Sequence, residues 1–133
     1  PAAVMDWIHE RLADSLAAVL ALSGPDEEAI LANLELVEVS IVSDEAIAAV
    51  HGEFMDDPTP TDVITFHHGE ILISVDTATR EAPAHGHALE EELLLYILHG
   101  LLHLNGYDDL TPPARDRMHR RQEEILQQAV ARG

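Results

Sequence analysis

Val4, Ile8, Leu12, Leu16, Val19 and Leu20 recur at helical spacing, which predicts a first helix with one apolar face, stopped at Ser23-Gly24-Pro25. Asp26 is placed to cap a short helix running through Leu34. The stretch Leu36 to Val42 alternates and is rich in β-branched residues, so it predicts a strand. Ser43 then caps a helix containing Ile47 and Val50, and Asp56-Asp57-Pro58-Thr59-Pro60 is a turn-rich loop. Asp62–Phe66 and Glu70–Val75 predict two strands of a hairpin, joined by a turn at His67-His68-Gly69. A loop holding Pro83 and Gly86 leads into a long apolar helix over Leu89–Leu104. A last helix starts at Thr111-Pro112-Pro113 and carries Met118, Ile125 and Leu126 as its buried stripe. Helices and strands mix without regular βαβ repetition, so the expected class is α+β: one domain over residues 1–133, a small mixed sheet covered by helices.

Composition narrows the chemistry. The chain has 133 residues, enough for one hydrophobic core, and no cysteine, which excludes disulfides, thiolate metal sites and thiol nucleophiles. Asp and Glu number 25 against 7 basic residues, all arginine, giving a net charge of −18. Such an excess opposes polyanionic partners unless salt or a bound cation offsets it. Arg115, Arg117, Arg120 and Arg121 cluster on the last helix, either as a solvated face paired with acids such as Glu124 or as a local basic patch. Pro1–Leu22 carries Asp6, Glu10, Arg11 and Asp14 and does not read as a signal peptide, and no apolar run is long enough to span a membrane. A cytoplasmic location with no membrane partner is the expectation.

The informative stretch is His99-Gly100-Leu101-Leu102-His103-Leu104-Asn105-Gly106-Tyr107-Asp108-Asp109. Four residues apart on a helix, His99 and His103 leave the same face one turn apart. From Leu93 to Leu104 everything else is apolar or aromatic except Gly100, so this helix is buried and its two imidazoles need partners. Gly106 permits a left-handed turn that swings the chain back, bringing Asp109 towards them as an oxygen ligand. The spacing resembles the zinc site of metzincin-type proteases, but Gly100 stands where their general-base glutamate would be. Asp108 competes for the ligand role, or orients an imidazole, or accepts turn hydrogen bonds. The expectation is one divalent ion, zinc, in a cleft at the end of the long helix, held by His99, His103 and Asp109.

The same segment resembles the signature HGxLHLxGYDH of the YbeY family of metal-dependent endoribonucleases, differing only at the last position. Pro60-Thr61-Asp62-Val63-Ile64-Thr65-Phe66 is similar to that family's PTDVLSF, and Gly69-Glu70-Ile71-Leu72-Ile73-Ser74 to its GDIxIS. Ser43-Asp44-Glu45, Glu92, Met118 and Ile125 also fit, so the likeness runs from about Val37 to Ile125. The resemblance implies a zinc-dependent, single-strand-specific endoribonuclease acting in ribosomal RNA maturation and ribosome quality control, with ribosomal RNA and the small ribosomal subunit as partners. Three departures matter, one being that the family usually opens with a strand before its first helix and none is evident here. Asp109 replaces the family's third ligand histidine, and the family's cleft arginine falls at Met55, which leaves the catalytic residue unassigned. Other readings are a non-catalytic ribosome-associated zinc protein, a metal-dependent peptidase, and an iron oxygenase using two histidines and a carboxylate. Among the remaining histidines, His67 and His68 are expected in an exposed turn or at the cleft. His9, His51, His85 and His87 lack ligand spacing and are expected in solvent. His119 is a minor alternative ligand, and Glu92 is either an outer acceptor or an exposed acid.

Overall fold

A computed structural model describes residues 2–22, 30–56, 59 and 61–131. The predicted stop at Ser23-Gly24-Pro25, the cap at Asp26, and Asp57, Pro58 and Pro60 of the turn-rich loop lie outside them. The elements are α1 (Ala2–Ala21), a short 3₁₀ turn (Leu31–Asn33), β1 (Glu38–Val42), α2 (Asp44–Met55), β2 (Val63–Phe66), β3 (Glu70–Ser74), α3 (Val75–His85), α4 (Leu89–Leu104) and α5 (Pro112–Ala131). The class is α+β, as the apolar pattern predicts.

The sheet has the order β1-β3-β2. β3 pairs antiparallel with β2, Ile64 facing Leu72, and parallel with β1, Val39 facing Ile71. Because side chains alternate across a strand, the sheet has two apolar faces. Ile71 and Ile73 turn towards α4, with Val39, Ile41 and Val63 beside them, while Ile64 and Leu72 pack with Ile47 of α2. The parallel pair is joined by a crossover that includes α2, and Ser43 caps that helix by accepting the Ala46 N–H at 3.1 Å.

α4 runs through the middle of the molecule. Leu94, Leu98 and Leu102 are fully buried, as are Leu93, Ile97 and Leu104 to within 2%. Each such side chain stabilises the fold by about 1.5–3 kcal/mol on burial. Glu90, Glu91 and Glu92 occupy its first turn, where negative charge suits the helix dipole. At its other end, the Asn105 side chain donates to Val19 O at 2.8 Å and Ile30 N–H donates to Leu104 O at 2.8 Å. The end of α4 that carries the histidines is therefore tied to α1.

Two expectations need correction. The buried face of α1 is Ile8, Arg11, Ser15 and Val19, whereas Leu16 and Leu20 are 36% and 41% exposed. The helix is turned so that Arg11 Nε donates to Ala129 O at 2.9 Å and the guanidinium lies 4.1 Å from the centre of the Trp7 ring. An arginine stem can be buried while its head is satisfied in this way. The second correction is α3, where a loop was expected. Ser74 caps it by accepting Thr77 N–H at 3.1 Å, Pro83 sits in its last turn, and Gly86 ends it at φ 70°. Its buried residues are only Ala78 and Ala82, small enough for α3 to lie close on α4.

Candidate metal centre

His99 and His103 lie on the last two turns of α4, their ring centres 4.7 Å apart and inclined at 80°. The Nδ1 of His99 donates to Gln122 Oε1 of α5 at 2.9 Å, and the Nδ1 of His103 donates to Tyr107 O at 3.1 Å. With both Nδ1 atoms protonated, the two Nε2 atoms present lone pairs to each other at 3.2 Å. Two acceptors so placed can share a cation. Burial, and next the neighbouring His99, push the His103 imidazole below its ordinary pKa, which favours the neutral form that a metal requires.

Past Asn105 the chain reverses at Gly106, whose φ of 94° an L side chain would resist. That reversal returns Asp109 to the histidines, its Oδ2 standing 3.8 Å from His99 Nε2 and 3.9 Å from His103 Nε2. Metal–ligand bonds of about 2.0–2.1 Å in a tetrahedron place neighbouring ligand atoms about 3.3 Å apart. The two nitrogens and one oxygen are near that spacing, all three residues line the cleft, and the donor set fits a divalent ion such as zinc. Asp108 is occupied otherwise: its Oδ1 accepts Leu110 N–H at 3.0 Å and fixes the turn.

The cleft beside the triad has a volume of about 630 Å³. Met55, Thr65, His67 and Leu110 line it with the two histidines, so Met55 from α2 and His67 from the hairpin turn do reach the site. His68 points away, 70% exposed, and stacks on Phe66. His51 Nδ1 lies 2.8 Å from Thr59 O, and His9 is exposed. His119 lines a neighbouring cavity of about 710 Å³ that shares Thr61, Asp62 and His99 with the first, and it is not among the triad.

His85 and His87, expected in solvent, instead close on Glu92. The Glu92 side chain is wholly buried, with its oxygens 2.9 Å from His85 Nδ1 and 2.8 Å from His87 Nδ1. Burial pushes the Glu92 carboxyl up, but hydrogen bonds from His87, His85 and Tyr96 prevail and hold it below the usual range. His85 is raised in turn, chiefly by its bond to Glu92. A sequence signal existed: a His-x-His pair followed by Glu92, the last of three glutamates and the one that borders the apolar run of α4.

The family described as Endoribonuclease YbeY matches residues 5–130. The chain is similar to "Endoribonuclease YbeY" of Synechococcus sp. (strain RCC307), 40% identical over 103 residues, with 66% of this chain and 64% of that protein covered. It is also similar to the protein of the same name from Heliobacterium modesticaldum, 37% identical over 116 residues, with 70% of each chain covered. The solution structure of TM1509 from Thermotoga maritima shares the fold at a TM-score of 0.67 and 23% identity, over 99% of this chain and 85% of that one.

Proposed function

The chain belongs to the YbeY family of endoribonucleases, and from that membership we propose a metal-dependent endoribonuclease that cuts single-stranded ribosomal RNA. Its setting is ribosomal RNA maturation and ribosome quality control, with ribosomal RNA and the small ribosomal subunit as partners. The observation that carries the reading is the facing pair of Nε2 lone pairs on His99 and His103, with Asp109 beside them and both Nδ1 atoms engaged elsewhere. His99, His103 and Asp109 would hold a zinc ion, which when bound would supply Lewis-acid chemistry at a phosphoryl oxygen and at water. Gln122 and the Tyr107 carbonyl hold the rings in one tautomer and orientation, with both Nε2 atoms free to take a metal. Asp109 offsets one of the two positive charges, so the centre is less electrophilic than one with three neutral imidazoles. His67, in the cleft wall, is placed to hold or pass a proton on the substrate side. A peptidase reading is weaker, because Gly100 packs on Ile71 and supplies no general base.

A second reading is favoured by Met55. A thioether stands in the cleft wall where the family's arginine falls, so no guanidinium from that position grips a phosphate. That favours a non-catalytic ribosome-associated zinc protein. One set of assays decides between them, using protein purified without a nickel column and single-stranded RNA. We expect cleavage that chelator abolishes and zinc restores, and in His103→Ala and Asp109→Ala the loss of cleavage together with the metal held at this site. Gln122→Ala should weaken metal binding by about 10- to 100-fold, and Met55→Arg should raise cleavage. Bound metal without cleavage in wild type and Met55→Arg alike supports the non-catalytic reading. Near-stoichiometric metal at this site in both ligand variants overturns the triad.

A further inference from the structure

We propose that His85, His87 and Glu92 form a second divalent-cation site, separate from the triad at the far end of α4. The three come from different places: His85 is the last residue of α3, His87 lies in the turn, and Glu92 is in the first turn of α4. Gly86, at φ 70°, makes the hook that lets both rings face one carboxylate. One ligand atom from each residue lies within 4.8 Å of the others, the same compactness and the same two-imidazole, one-carboxylate set as His99, His103 and Asp109.

Charge gives the cluster its reason to take an ion. Glu92 is wholly buried, and a buried carboxylate requires compensation. Two neutral imidazoles donating from Nδ1 satisfy its oxygens but leave one negative charge inside a chain that already carries −18. A divalent ion turns that local balance positive. The protons on Nδ1 need not leave the rings: each imidazole shifts to its Nε2–H tautomer and offers the Nδ1 lone pair. The distances of 2.8 and 2.9 Å open by a few tenths of an ångström to reach the roughly 3.3 Å of a tetrahedral set. His85, 48% exposed, has room to make that adjustment. The cluster lines the cavity of about 710 Å³, which admits an ion with its water. Two nitrogens and one oxygen suit zinc or a similar borderline ion.

The second ion would not share a phosphate with the first. Glu92 and His99 are seven residues apart on one helix, about 10 Å of rise, whereas two-metal phosphoryl chemistry works at about 3.5–4 Å. Its place would be structural: it would staple α3 to α4 and put positive charge on the wall of the cavity that His99 also lines.

Chelator-stripped, untagged full-length protein is titrated with Zn²⁺ and its bound metal counted after dialysis, with melting followed in parallel. Wild type should hold two ions per chain. His99→Ala/His103→Ala should hold one, and that ion should still raise the melting temperature. His85→Ala, at an exposed helix end, and His87→Asn should each hold one and lose that part of the zinc-dependent rise in melting temperature. One ion in wild type, with none in a folded His99→Ala/His103→Ala variant and no change in His85→Ala, overturns the proposal. One ion that survives His99→Ala/His103→Ala and disappears with His85→Ala supports it while refuting the triad.

Discussion

Asp44, the first residue of α2, collects three donors on one carboxylate. Ser74 Oγ and Thr77 Oγ1 donate to its Oδ1 at 2.6 and 2.8 Å, and Arg80 Nη1 donates to its Oδ2 at 2.7 Å. The Ser74 bond first, then those of Arg80 and Thr77, pull its pKa from 3.8 down to about 2. A carboxyl with a lowered folded-state pKa contributes stability that is complete above its unfolded value and lost as pH falls through the folded one. Asp44→Asn should therefore melt below wild type at pH 7, and the gap should shrink as pH falls from 3.8 towards 2. Thermal melts at several pH values check this, and a gap independent of pH would show that hydrogen-bond shape, not charge, matters there. Single residues differ in how much their sequence context reveals. His99 and His103 announce themselves by helical spacing in an apolar run, but Gln122 is one polar residue on a polar helix. Only the packing of α5 on α4 makes it the partner of His99.

α4, β1 and the hairpin were legible because each carries large apolar side chains at a clear period, buried in α4 and β3 and half-buried in β1, and the bounds Leu89–Leu104 follow from that run. α3 was not, because its buried residues are two alanines and its sequence holds Pro83 and Gly86, both of which signal a break. Pro83 is tolerated because it falls in the last turn, where little helix remains to disrupt. The rotation of α1 was hidden too, since periodicity counts an arginine as outward-facing and cannot foresee its bond to Ala129 O. The same packing explains why Gly100 interrupts an otherwise leucine-rich helix. A Cβ there would lie 2.8 Å from Ile71 Cδ1 and 3.0 Å from its Cγ2, on a side chain with no exposed surface. Alanine favours a helix over glycine by about 0.8–1.0 kcal/mol, but overpacking a tight core costs about 1–3 kcal/mol. Gly100→Ala should therefore destabilise by up to about 2 kcal/mol in urea unfolding and weaken zinc binding at the adjacent His99. Increased stability would mean that Ile71 yields without cost.

With a net charge of −18, the whole molecule repels itself in dilute buffer. Screening lengths fall from about 30 Å at 0.01 M salt to about 3 Å at 1 M, so the melting temperature should rise from dilute buffer towards molar KCl. A flat response would show that the acids are already offset locally. Affinity for single-stranded RNA should stay level or improve over moderate KCl, because salt relieves repulsion that outweighs any counterion release. A steep decline would instead place the RNA on the exposed Arg115, Arg117 and Arg120 of α5. No helix among the described residues is long and apolar enough to cross a membrane. The three-stranded sheet adds a cost to the same screening. β3 is flanked on both sides, so β1 and β2 each keep an outer edge that no strand pairs among the described residues. An unpaired edge is a template for the strand of another molecule, and here no lysine blunts it. Mutual repulsion between molecules is then what keeps those edges from meeting. The salt that steadies one molecule also lets two approach, so light scattering should climb with KCl even as the melting temperature rises.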